Sequence, residues 1–156
     1  TDLYVLTNMA PIAKSLMEKA GMKVDMQSMD WQTLVSRRAR KDPPDKGGWN
    51  VLITSTSGAD SLDPLTYSFI SAACDKAWFG WPENPEIEKM RTEWAYAPDA
   101  EARRNVARRI NKTMMDYVHD VKTGQWVQPA VYRGDRIRGL LAVPEVVPWW
   151  NVERYA

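Results

Sequence analysis

Apolar residues recur every three or four positions in several stretches of this chain, which is the spacing of one helix face. Residues 8–20 show it first, and Gly21 is the expected end of that helix. A second helix is predicted after Asp30, whose carboxylate can cap it. Two longer helices are predicted to begin near Pro85 and after Asp99. The inward-facing side chains expected in these helices are Met9, Ile12, Ala13, Leu16, Met17 and Ala20; Trp31, Leu34 and Val35; Ile87, Met90 and Trp94; and Ala102, Val106, Ile110, Met114 and Tyr117.

Other stretches follow the pattern of strands. Residues 22–27 alternate apolar and polar side chains, which predicts a strand with one covered face. Residues 49–55 contain three consecutive aliphatic residues, as in a central strand covered on both faces. A last strand is predicted over 125–132, and a short helix over 63–71. Helices that alternate with strands predict one α/β domain over 1–156, with a mostly parallel sheet flanked by helices.

Composition narrows the function classes. The 156 residues are 44% hydrophobic and 26% charged, as in a globular protein. Twenty-one basic and twenty acidic residues give a net charge of +1, which provides no general attraction for nucleic acid. One cysteine and one histidine are too few for an internal disulfide or a zinc site, so no metal or other cofactor is predicted.

The segment that follows the predicted strand over 49–55 is the first candidate for binding. It holds Ser57, Gly58 and Asp60, and loops at strand ends commonly present side chains to a ligand. The hydroxyl, the backbone and the carboxylate could each contact a polar guest. Asp60 could instead cap the turn that follows, and Asp63 fits a capping role better than a ligand role.

A second candidate is the aromatic run that contains Trp78, Phe79 and Trp81. Aromatic faces attract both apolar groups and cations, so these rings could form one wall of a binding site. They could equally anchor an irregular loop to the rest of the fold. Arginines at 37 and 38 and between 103 and 109 fit solvated helix faces better than an anion-binding patch.

Several motifs in order resemble the C-terminal part of family 5 extracellular solute-binding proteins, the peptide, nickel and opine receptors of bacterial ATP-driven importers. The motifs are MKVDMQSMDW at 22–31, VSRR at 35–38, SGAD at 57–60, DKAWFGWP at 75–82 and GQWVQPAVYR at 124–133. The resemblance covers nearly the whole chain. It implies one lobe of a type II periplasmic-binding fold, with an N-terminal lobe and a leader that this sequence lacks.

The resemblance also implies a function and a site. Members capture a small peptide-like or amine-bearing solute between two lobes and deliver it to an ABC permease from the periplasm. Asp60 stands where peptide-binding relatives pair a carboxylate with the ammonium group of the ligand, and Gln125 and Trp126 stand where the chain approaches the ligand. We therefore expect a periplasmic, non-enzymatic protein without cofactors that has a small solute and a permease as partners.

Two further expectations concern an isolated lobe. Such a lobe should bind its solute weakly, and self-association is expected because it exposes a face meant to be covered. Two other functions stay open. A small α/β hydrolase is disfavoured because no nucleophile elbow or phosphate-binding glycine loop is present. A standalone interaction domain is the other function that stays open.

Overall fold

The structure is a computed structural model that describes residues 4–127, 129–141 and 149–155. The chain forms two compact units, Thr1–Ser55 and Thr56–Ala156. Four α-helices are described: α1 (Tyr4–Lys19) and α2 (Trp31–Arg38) in the first unit, and α3 (Pro85–Ala95) and α4 (Ala100–Tyr117) in the second. Four of the five predicted helices are confirmed.

Helix α1 begins earlier than predicted and ends as predicted. Gly21 adopts a φ of +88°, a left-handed conformation that favours glycine. The amide of Gly21 donates to the Glu18 carbonyl at 3.0 Å, and the amide of Met22 donates to the Met17 carbonyl at 3.0 Å. These two bonds form a Schellman motif, which satisfies carbonyls that the helix end would otherwise leave without donors.

Helix α2 is capped as predicted, since the Asp30 carboxylate accepts from the amide of Thr33 at 3.0 Å. Arg37 near its end is partly buried and donates to the carbonyls of Gly47 at 3.1 Å and Gly48 at 2.8 Å. Gly48 is buried so tightly that a Cβ atom there would lie 1.6 Å from the Asp42 carbonyl oxygen. Arg37 thus joins α2 to the backbone at Gly47 and Gly48, and it is not part of a solvated helix face.

The predicted mostly parallel sheet is not confirmed. Residues 22–27 and 49–55 are described without strand pairing, as are 125–127 and 129–132; Gln128 lies outside the described residues. The strands found within the described part of the chain are β1 (Ile137–Arg138) and β2 (Glu153–Arg154), which pair antiparallel. A strand requires a neighbour that accepts its ladder hydrogen bonds, and periodicity in one segment does not supply that neighbour.

Helices α3 and α4 form the core of the second unit. Asn84 caps α3 by accepting from the amides of Glu86 and Ile87, and Asp99 caps α4 by accepting from the amide of Ala102 at 2.8 Å. The predicted inward stripe of α4 is wrong at one position, because Tyr117 is 40% exposed. The buried cluster consists of Tyr67, Ile70, Ala72, Ile87, Met90, Val106 and Ile110.

The segment over 63–72, between the two predicted sites, is irregular but is hydrogen-bonded to α3. The predicted helix over 63–71 is wrong: the structure has a turn after Asp63 and a short 3-10 turn at Ser68–Ile70. Glu88 and Arg91 of α3 hold this segment in place. Glu88 accepts from the amide of Ala72 at 2.7 Å, and Arg91 donates to the Pro64 carbonyl at 2.9 Å. Glu88 and Arg91, which pair with each other, therefore hold this segment near both of its ends.

Candidate functional site

Ser57, Gly58 and Asp60 lie together around a short 3-10 turn, Ala59–Ser61. The Ser57 hydroxyl accepts from the amide of Ala59 at 3.1 Å, and the Gly58 carbonyl accepts from the hydroxyl of Ser61 at 2.9 Å. These groups stabilise the turn itself. Asp60 is exposed, and one of its carboxylate oxygens accepts from the Thr56 hydroxyl at 3.2 Å. Its carboxylate is accessible to a cationic partner.

Asp63 has the capping role favoured from the sequence. Its carboxylate accepts from the amides of Leu65 at 2.7 Å and Thr66 at 3.0 Å, and from the Thr66 hydroxyl at 2.9 Å. The backbone bond from Thr66, together with the bonds from Leu65 and the Thr66 hydroxyl, outweighs the opposing effect of burial and holds the pKa of Asp63 below its ordinary value of 3.8. The two neighbouring carboxylates therefore differ: Asp63 shapes the turn, whereas Asp60 remains accessible.

The aromatic residues lie on a loop that is pinched at its base. Ala73 and Glu83 form an antiparallel bridge, the amide of Cys74 donates to the Pro82 carbonyl at 2.9 Å, and that of Asn84 donates to the Ala72 carbonyl at 2.9 Å. Trp81 has a φ of +48°, an uncommon conformation for a bulky residue. The closed base makes residues 74–82 a defined loop, which we call the aromatic loop.

The rings of this loop contact one another edge to face in a continuous row. Trp78 lies 5.0 Å from Phe79 between ring centroids, and Phe79 lies 6.4 Å from Trp81. Trp78 also packs against Phe69 at 4.4 Å, and Phe69 packs against Tyr67 at 5.5 Å. T-shaped contacts at these distances are favourable for aromatic pairs. The two sequence interpretations are therefore compatible, since the rings anchor the loop while remaining only half-buried.

Two of these rings line an open groove of about 400 Å³. Trp78 and Phe79 form its aromatic wall, and Lys76 and Arg91 are its charged lining residues. Arg91 is already paired with Glu88, at 2.7 Å between Nη1 and Oε2. The remaining lining residues are Leu65, Thr66, Ser68, Ser71 and Ala77.

The structure brings together only part of the predicted site. Asp60, Ser57, Gly58 and Trp81 are not among the groove residues, and Gln125 and Trp126 lie exposed in irregular chain after α4. Lys76 and Arg91 line the groove but were not predicted from the sequence as site residues. A usable signal existed for Arg91, because Glu88 three residues earlier on the same helix is a favourable ion-pair spacing.

Neither a metal-binding group of side chains nor a membrane-spanning helix is found in the ranges that the structure describes. No three histidine, cysteine or acidic side chains are grouped there so as to hold a metal ion. No described helix is long and apolar enough to cross a bilayer.

The chain is 32% identical over 155 residues to a probable peptide ABC transporter periplasmic-binding protein of Sinorhizobium fredii. The alignment covers 99% of this chain and 29% of that relative. The resemblance to solute-binding proteins is confirmed. No protein-family model matches the chain. The chain thus corresponds to less than a third of the solute-binding relative, and that segment includes both the aromatic loop and the turn that carries Asp60.

Proposed function

We propose that this chain is part of the substrate-binding component of an ABC importer, which captures a peptide-like solute in the periplasm and delivers it to a membrane permease. The observation that carries the proposal is the 32% identity to a periplasmic-binding protein across 99% of the chain. That relative is named as a binding protein, which supports a non-enzymatic role over the hydrolase alternative.

The proposal extends to the architecture. In the longer protein this segment would belong to one of two lobes that enclose the solute, with a mostly parallel sheet in the lobe. The extended segments over 22–27 and 49–55 would then gain ladder partners from parts of the protein outside these 156 residues. A crystal structure of the longer protein in which both segments remain unpaired would contradict this part of the proposal.

Asp60 is the proposed partner of the ligand's ammonium group. Its carboxylate is exposed and accepts one described bond, from Thr56, so its other oxygen is available. Enclosure by a second lobe would remove water from this pair and strengthen it. The half-buried rings of Trp78, Phe79 and Trp81 are proposed to contact apolar side chains of the solute, together with Gln125 and Trp126.

The experiment is calorimetry on the protein expressed from its full reading frame, titrated with a tripeptide library and then with the best ligand. Asp60→Asn should weaken binding of that peptide by about 10- to 100-fold, because a charged hydrogen bond is lost. The N-acetylated form of the peptide has no ammonium group, so it should bind weakly to both proteins and show little difference between them.

Asp63→Asn is the matched control, because the amide oxygen can still accept from the backbone amides of Leu65 and Thr66. Its peptide affinity should stay near the wild-type value. Absence of peptide binding by the full-length protein would refute the proposed solute. Equal affinities of the wild type and Asp60→Asn would refute the role of Asp60 alone.

The isolated 156-residue chain should bind the same peptide only weakly and should self-associate. Large apolar side chains such as Leu62 and Val131 are 80% and 91% exposed. Apolar surface of this kind favours association when no partner covers it. Sedimentation velocity at increasing concentration tests this, and a strictly monomeric profile would contradict it.

A further inference from the structure

The chain that leaves α4 is fastened to the segment before α3 at three points. The first is Tyr117, whose hydroxyl donates to the Glu83 carbonyl at 2.9 Å and accepts from the Glu83 amide at 3.1 Å. The Tyr117 hydroxyl thus bonds to both the amide and the carbonyl of Glu83, at the base of the aromatic loop. Val118 follows with a φ of +54°, which redirects the chain immediately after the helix.

His119 is the second point. Its Nε2 atom lies 2.8 Å from the Phe69 carbonyl oxygen. Because a carbonyl oxygen can only accept, Nε2 carries the hydrogen in this contact. The bond joins residues that are fifty positions apart in sequence, and it places the chain after α4 beside Phe69.

Lys122 is the third point and the most specific one. Its Nζ atom lies 4.5 Å from the ring centroid of Tyr67 and 5.5 Å from that of Phe69, within the range of a cation–π contact. The same ammonium group donates to the Tyr67 hydroxyl and to the Asp120 carboxylate. Burial disfavours the charged form, but the bonds to Asp120 and Tyr67 outweigh it and raise the pKa of Lys122 above its ordinary value.

The rings that hold Lys122 also support the aromatic loop. Phe69 packs against Trp78 at 4.4 Å between centroids, and Tyr67 is 7% exposed and belongs to the core. Gln125 follows Lys122 by three residues, so it lies within about 11 Å of it along the chain. The position of Lys122 therefore limits where Gln125 and Trp126 can lie relative to the row of rings.

We propose that Lys122 is a positioning residue, which orders residues 123–127 against Tyr67 and Phe69 and so presents Gln125 and Trp126 to a bound peptide. The ordering step stands on the contacts of Lys122, whereas the peptide step rests on the proposed function. Loss of the ammonium group should release the segment while the core of α3 and α4 remains folded, because Lys122 is not a member of the buried cluster.

The test compares Lys122→Met, Lys122→Arg and Tyr67→Phe with the wild type by ¹⁵N relaxation of residues 121–127. Methionine keeps an apolar stem, arginine restores a cation over the rings, and phenylalanine keeps the ring but removes the hydroxyl. Lys112→Met is the matched control, because Lys112 pairs with Asp116 at 2.7 Å on the exposed surface of α4.

We expect order parameters near 0.85 in the wild type, values below about 0.6 in Lys122→Met, and substantial recovery in Lys122→Arg. Tyr67→Phe should fall between them, and Lys112→Met should match the wild type. A wild-type segment that is already flexible, or an unchanged segment in Lys122→Met, would overturn the ordering step.

Peptide calorimetry on the full-length protein separates this inference from the proposed function. If the wild type binds peptide, Lys122→Met should weaken binding by about 3- to 30-fold and Lys122→Arg should restore most of it. Equal affinities despite a released segment would overturn the binding role of Lys122. If the full-length wild type binds no peptide, the proposed function and the peptide step both fail, and relaxation still decides the ordering step.

Discussion

Helices α1 and α4 were predicted by the same kind of pattern, yet their apolar side chains have different surroundings. Ile110 of α4 is 1% exposed and packs within the cluster that α3 and α4 share. Ile12 of α1 is 61% exposed, and Leu16 on the same predicted face is 62% exposed. Helical spacing of apolar residues therefore predicts the helix and the face, but not whether a partner covers that face.

The largest expected difference in stability is between the same isoleucine-to-alanine change made in α4 and in α1. Ile110→Ala should lower the free energy of unfolding by about 2–5 kcal/mol, because it removes buried methyl groups and leaves a cavity. Ile12→Ala should change it by less than about 0.5 kcal/mol, since the side chain is mostly exposed. Urea titrations followed by circular dichroism measure both, and comparable losses would show that Ile12 has a partner.

A glycine substitution tests how the first unit is ordered. Gly48→Ala should destabilise that unit by about 1–3 kcal/mol, because the added methyl group would overlap the Asp42 carbonyl. Gly58→Ala in the second unit is the control, since no atom lies within 4 Å of a Cβ there. Amide hydrogen exchange in α2 reports the effect. Unchanged protection in Gly48→Ala would contradict the close backbone approach.

Two ion pairs on the helices of the second unit should contribute unequally to its stability. Arg91→Met should cost about 1–2 kcal/mol, because Arg91 bonds both to Glu88 and to the carbonyls of Pro64 and Leu65. Arg109→Met should have little measurable effect, since its pair with Glu93 is exposed and screened by salt. Thermal unfolding at low and high salt separates the two. A large, salt-dependent loss for Arg109→Met alone would reverse this ranking.

The smallest expected effect is a dependence of stability on pH in the acid range. The pKa of Asp63 is lowered in the folded state, so the unfolded chain binds the proton more tightly. The stability that Asp63 contributes is therefore present above pH 3.8 and is lost as the pH falls through the lower folded value. The pKa of Asp30 in the first unit is also lowered, mainly by the hydroxyl of Thr33.

Asp63→Asn keeps the acceptor but cannot titrate, so its stability should fall less between neutral and acid pH than that of the wild type. Asp30→Asn should show the same behaviour in the first unit. A carboxyl ¹³C titration of each aspartate gives an independent measurement. A midpoint above 3.8 for Asp63 would contradict the hydrogen bonding of its turn.

Local chemistry explains what could be predicted. Asp30, Asp99 and Gly21 act on backbone groups within a few residues, so helix boundaries and caps can be inferred without knowledge of distant contacts. The capping role of Asp63 could be predicted for the same reason, because its carboxylate bonds to amides two and three residues later. The predicted helix after Asp63 was wrong, because Glu88 and Arg91 of α3 hold that segment as irregular chain.

The sequence by itself determined the four helices, the turn chemistry around Asp63 and the similarity to solute-binding proteins. Only the tertiary structure decided which apolar faces are covered, that Trp78 and Phe79 share a groove with Lys76 and Arg91, and that Lys122 lies over Tyr67 and Phe69. The physical reason is the distance along the chain. Helix propensity and capping act over three or four residues, whereas strand ladders, ring contacts and grooves require partners whose sequence separation no periodicity encodes.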